Sequence, residues 1–252
     1  MKKIYKSMLI TALAASCAVV LSHIITFHGK SYEAASVSDA PKQIAFTFDD
    51  GPSMYTERIL DTLKRYGARA TFFMVGYNVS KHPERINLVL DAGCEVGNHT
   101  SGHEYLTKIS PEDVARTVFD NEDLINGTAQ LGELIVRPPY GLTDNTVKSV
   151  VDRPMINWSL DSRDWKTKDA DSTVSEVKKN IKDGYVVLMH DIYESTAEAI
   201  EELVPWLIDE GYQLVTVSEM YRARGETLRD GHIYRFTYTA EEYEENRSAV
   251  TD

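Results

Sequence analysis

From Gln43 onward, seven short apolar runs alternate with stretches of helical period, and this alternation limits the possible folds more than any other feature of the chain. The runs are QIAFTF, ARATFFMV, CEVGN, LIVRP, PMINWS, YVVLM and QLVTVS. Strands separated by helices pair in parallel and need helical cover, so the fold class is α/β with a helix-wrapped parallel sheet. The spacing predicts helices over Thr56–Tyr66, Pro83–Ala92, Pro111–Leu131, Asp144–Val151 and Ser172–Lys182. A sixth is expected to start at Ser195, where Ser195-x-x-Glu198 has the form of a capping box. Its apolar stripe is Ile200, Leu203, Val204, Leu207 and Ile208, and Pro205 predicts a kink in it.

Polar residues fall at the carboxyl ends of these runs. Asp49 and Asp50 follow QIAFTF, His99 follows CEVGN, Arg137 follows LIV, Asp161 follows PMINWS and His190 follows YVVLM. The carboxyl ends of parallel strands share one rim, so residues distant in sequence are expected to meet at one mouth.

At 252 residues the chain is long enough for one core. A formal net charge of -12 argues against nucleic acid or anionic lipid held on a broad basic face. Met1–Lys6 is basic and Met8–Phe27 carries no charged residue, the pattern of an export signal or, equally, of a membrane anchor. Ala14-Ala15-Ser16-Cys17 weakly resembles a lipoprotein cleavage site. The expected organisation is a leader over 1–27, a linker over 28–41, a folded domain over 42–225 and a polar, acidic extension over 226–252 that frays. Beyond the leader only Cys94 remains, so no internal disulfide is expected and Cys94 reads as a small core residue.

His99-Thr100-Ser101-Gly102-His103 places two imidazoles four residues apart, on one face if the segment is helical. Surface or core histidines are the alternative. The Asp49-Asp50 pair ahead of a Gly51-Pro52 turn adds carboxylates, although Asp50 could equally cap a helix. Two imidazoles and one carboxylate leave a position open on a zinc-like ion, the arrangement that activates water.

TFDDGP, HTSGH, RPPYG, DSRDW and LMH occur in this order, and together they resemble the five motifs of NodB-type polysaccharide deacetylases, carbohydrate esterase family four. The resemblance runs from about Gln43 to Glu219 and is most like bacterial peptidoglycan N-acetylglucosamine deacetylases. It implies an irregular (β/α) barrel, in keeping with the seven runs. It also implies that Asp50, His99 and His103 bind a divalent metal, by default zinc, with cobalt or nickel tolerated by the same ligands. Asp49 corresponds to the general base, and Arg137 to the residue that orients it. The backbone N–H of Tyr140, beside the metal, corresponds to the oxyanion donor. His190 corresponds to the general acid, kept charged by Asp164. Trp165 and Leu188 resemble the walls of an acetyl slot, and Asp161 takes a supporting part in the groove. Asp191, next to the acid, either binds substrate or caps the following turn.

The function implied is removal of N-acetyl groups from an N-acetylated polysaccharide, with peptidoglycan first and chitin, chito-oligosaccharide or acetylxylan as alternatives. An O-acetyl esterase should depend less on His190. A reading of another class is a non-catalytic glycan-binding module that keeps its metal for structure. The expected protein is an extracytoplasmic monomer, with no nucleic-acid partner and membrane contact only through its first residues.

Overall fold

The computed structural model describes residues 42–237; the expected leader, the linker up to residue 41 and the extension beyond residue 237 lie outside the described residues. β1 (Lys42–Asp49) is the central strand. It pairs in parallel with β2 (Thr71–Met74) and with β6 (Val186–His190), and its first residues pair with β7 (Tyr212–Leu214). β3 (Glu95–Asn98) continues the sheet beyond β2, and β5 (Leu160–Asp161) continues it beyond β6. Ile44–Phe48 is buried throughout, which explains an unbroken apolar run in place of an alternating one.

β4 (Met155–Ile156) and β8 (Ile233–Tyr234) form a second parallel pair. Val136 ties this pair to the main sheet by bridging both Asn98 and Met155. The strands therefore curve round as an irregular barrel. The ladder does not close, because β4 and β5 belong to separate sheets although only Asn157, Trp158 and Ser159 lie between them.

Phe46 and Phe48 pack with Ile59 and Leu63 of the Thr56–Arg65 helix and with Ile200, Leu203, Val204 and Leu207 of the Glu194–Asp209 helix. A second cluster joins Ala45, Phe73, Ile156 and Val186 to Val217, Met220 and Tyr221. Cys94 is buried and free. No helix among the described residues is long and apolar enough to cross a membrane.

Several expectations need correction. LIVRP forms no named strand, only the bridges at Val136; Pro138 has no N–H to extend the ladder, and a 3-10 turn follows at Pro139–Gly141. PMINWS is broken after Ile156. QLVTVS stops as a strand at Leu214, because Thr216 and Glu219 form a capping box for the Val217–Ala223 helix. The box expected at Ser195 is absent: that helix starts at Glu194 after an uncapped Tyr193, and Ser195 Oγ is buried without a partner. Ile208 is 38% exposed and lies outside the buried stripe. Residues 226–237, expected to fray, supply β8 and a bridge from Phe236 to Tyr185.

Candidate active site

β1, β3, β5 and β6 end at one mouth, around a cavity of about 380 Å³. Asp49, Asp50, His99, His103, Tyr140, Asp161, Trp165, Leu188 and His190 all line it. Of the expected site residues, Arg137 and Asp164 stand behind this lining, fully buried. Register explains the central pair, since Asp49 is opposite His190 across β1 and β6.

Arg137 anchors Asp49. Its Nη1 donates to Asp49 Oδ1 at 2.8 Å and to Thr47 Oγ1 at 2.6 Å, while Nε and Nη2 donate to the carbonyls of Ile156 and Asn157. The guanidinium lies 4.2 Å from the Phe73 ring centroid. Burial lowers its pKa and the Asp49 carboxylate opposes that shift; an arginine retains its charge in such a setting.

Asp50 has a left-handed backbone, φ 70°. Its Oδ1 lies 3.4 Å from His103 Nε2 and 3.6 Å from His99 Nε2, and has no hydrogen-bond partner. The two imidazoles converge from a loop and not from a helix: Thr100 and His103 both take positive φ, at 66° and 61°. Glu104 fastens this loop, its Oε2 accepting from Thr100 Oγ1, Thr117 Oγ1 and the Gly102 N–H.

The ligand set fits a divalent cation. His99 Nδ1 is 2.7 Å from the Arg137 carbonyl, to which it can only donate, so Nε2 presents its lone pair to the site. Burial and the neighbouring His99 push the His103 pKa down, which favours its neutral, ligating form. One ligand atom from each of Asp50, His99 and His103 lies within 4.8 Å of the others. An orphaned buried carboxylate oxygen between two bare imidazole nitrogens is the donor arrangement a zinc-like cation completes.

On the same cavity, His190 Nδ1 meets Asp164 Oδ1 at 2.9 Å. Asp164 is itself held by the N–H groups of His190 and Trp165 and by Thr196 Oγ1. Burial works against protonation of His190, but the hydrogen bond and charge of Asp164, joined by Asp49 and Asp50, push its pKa up to about 9. Trp165 and Leu188 both line the cavity, and Asp161 accepts from the Trp165 indole at 3.3 Å. Asp191 does not face the cavity. It is buried beneath the Asp50-Gly51 turn, accepts from Thr56 Oγ1, and would overlap any Cβ placed on Gly51.

Sequence reasoning missed Tyr193 and Trp158, which also line the cavity, and the brace supplied by Glu104. Trp158 lies inside the PMINWS run and reads there as part of a strand, while Tyr193 and Glu104 lie in no run and only adjoin motifs.

The family model described as polysaccharide deacetylase matches residues 36–154. Peptidoglycan-N-acetylmuramic acid deacetylase PdaC of Bacillus subtilis is 39% identical over 186 residues, 73% of this chain and 40% of that protein. A peptidoglycan-N-acetylglucosamine deacetylase of Bacillus cereus is 36% identical over 200 residues, covering 76% of this chain and 93% of that protein. The chain belongs to the polysaccharide deacetylase family. The fold agrees: a family 4 acetyl xylan esterase from Clostridium thermocellum, solved with a cobalt ion, superposes with a TM-score of 0.74 at 29% identity, covering 78% of this chain and 99% of that one. Polysaccharide deacetylases of this kind use a divalent metal, and the Asp50–His99–His103 cluster is where this member can hold one. The chain spans less than half the length of some of the larger relatives it matches.

Proposed function

We propose that this chain is an exported, metal-dependent hydrolase that removes the N-acetyl group from N-acetylglucosamine units of peptidoglycan. One juxtaposition carries the reading: a single cavity is lined by an Asp–His–His cluster, an arginine-anchored carboxylate and an aspartate-paired histidine. Neither metal storage nor passive sugar binding needs the last two.

Asp50, His99 and His103 would hold the cation, for which zinc is the first choice and cobalt or nickel are workable. Such a cation supplies Lewis acidity, polarising the acetamide carbonyl and acidifying water beside it. Asp49, its orientation fixed by Arg137, takes a proton from the water that attacks the carbonyl carbon. The Tyr140 N–H donates to the oxygen on which charge develops. His190 then delivers a proton from Nε2 to the departing amine, while Nδ1 stays on Asp164. Trp165 and Leu188 wall the space for the acetyl methyl, and Asp161 holds the Trp165 indole in place. The wider assignment keeps residues 1–27 as leader or anchor, 42–225 as the catalytic domain and the protein as an extracytoplasmic monomer.

The test is acetate release from peptidoglycan, chito-oligosaccharide and acetylxylan, with and without a chelator and beside Asp49→Asn. Release from peptidoglycan, lost on chelation, restored by zinc and reduced about 10²- to 10⁴-fold in the variant, is the expected result. Analysis of the product sugars distinguishes N-acetylglucosamine from the N-acetylmuramic acid named for the Bacillus subtilis relative. Binding of all three glycans without acetate release, unchanged in the variant, would favour the glycan-binding module.

A further inference from the structure

Three tyrosines, Tyr77 and Tyr105 exposed and Tyr193 half-buried, stand around the mouth, and each carries a lysine. Lys108 Nζ lies 4.3 Å from the Tyr105 ring centroid, Lys168 Nζ 5.1 Å from that of Tyr193, and Lys81 Nζ 5.5 Å from that of Tyr77. The rings belong to the site's edge. Tyr193 lines the cavity, and Tyr105 stacks at 3.8 Å on Tyr140, which also lines it. The Tyr77 N–H donates to the Ser101 carbonyl in the ligand loop, and the charge of Asp50 reaches its hydroxyl.

None of these lysines has a carboxylate partner among the described residues, where Lys178 is the only lysine in an ion pair. An ammonium resting on a ring is weakly held and keeps its N–H donors in solvent. Lys168 adds a second sign, because it holds a left-handed backbone, φ 50°, at a helix end where glycine or asparagine is favoured. The net charge of -12 would repel an anionic polymer at long range. Charges beyond about 8 Å are largely screened at physiological salt, so a bound polymer feels the local cations most.

Building on the deacetylase reading, we infer that Lys81, Lys108 and Lys168 recognise carboxylates of the peptide stems flanking the acetamido sugar, so that the enzyme selects peptide-bearing glycan strands over bare ones. Each tyrosine offers a flat apolar surface to a sugar or a peptide side chain, and its lysine can swing from the ring to a carboxylate.

The experiment compares wild type with a triple variant, Lys81→Gln, Lys108→Gln and Lys168→Gln, on peptide-bearing strands and on the same strands stripped of peptide by an amidase. All three positions are exposed, and an unchanged melting temperature serves as the folding control. For wild type, KM should be roughly five- to tenfold lower on peptide-bearing strands, as expected of three weak exposed ion pairs acting together. The gap should shrink with added salt and vanish in the variant, with kcat unchanged. A gap that is absent, or that survives in the variant, overturns the inference, as does a preference that follows a phosphate polymer on the strands instead of the peptide. If neither strand releases acetate, the deacetylase reading fails, and co-sedimentation of the two proteins with the same strands still decides whether the lysines read peptide.

Discussion

The mouth and the foot of the sheet both gather polar side chains, but they do so in different ways. At the foot, Glu95 accepts from Thr71 Oγ1 and from the N–H and hydroxyl of Ser218, Thr71 Oγ1 accepts from the Val217 N–H, and Arg69 pairs with Glu219. The backbone there is ordinary. At the mouth, Asp50, Thr100, His103, Tyr140, Arg163 and Lys168 all have positive φ, six of the seven such non-glycine residues described. Asp50 Oδ1 there also lacks a partner. Polar burial with every bond made fastens an end of the sheet. Polar burial combined with backbone strain and an unmet acceptor beside a cavity marks chemistry.

The comparison makes three predictions, of which the largest concerns the mouth. Asp164→Asn should lower kcat/KM for acetate release at pH 7 by about 10²- to 10⁴-fold. It should also change the pH dependence. The folded pKa of His190, about 9, is above its ordinary 6.5. Its pairing therefore adds stability that is complete below pH 6.5 and lost as pH rises through about 9. Denaturant titrations between those limits should show this slope in the metal-free protein and a clearly smaller one in the variant. A bound cation would offset the share due to Asp49 and Asp50 and move the upper limit down. An unchanged pH profile in the variant would break the assignment of His190 as the acid.

A smaller effect is expected at the foot. Glu95→Ala should cost about 1–3 kcal/mol in urea unfolding, because it leaves the Thr71 and Ser218 donors without an acceptor. Activity per folded molecule should not change. A fall in kcat would show that the two ends are coupled and that the contrast drawn between them is too sharp.

The smallest effect is one of sign. If Ser195 were a helix cap, Ser195→Ala would cost roughly 1 kcal/mol. With Oγ buried and unpartnered, the substitution should instead be neutral or stabilising by a few tenths of a kcal/mol, readable as a shift in melting temperature.

These contrasts also show how much the sequence could reveal. Residues fixed by strand period and position were legible, which is why Asp49, His99 and His190 could be placed at one mouth from the ends of three apolar runs. The Ser195 and Thr216 segments have the same cap-like spacing, and only tertiary packing decides which of them caps a helix. LIVRP and PMINWS read as ordinary strands, yet the backbone carbonyls of Ile156 and Asn157 are occupied by Arg137. Trp158 sits where the PMINWS run breaks, and Tyr193 and Glu104 come from loops whose path no periodicity encodes.

The seam between β4 and β5 has a consequence for anyone redesigning this scaffold. Completing the ladder there would look like an improvement, since an open sheet invites repair. But Ile156 and Asn157, at the break, give their carbonyls to the Arg137 guanidinium, so a change of backbone path there would take two acceptors from a buried cation. The residue that aims Asp49 would be the first to move. In this scaffold the gap in the wall and the aim of the carboxylate form one unit of design.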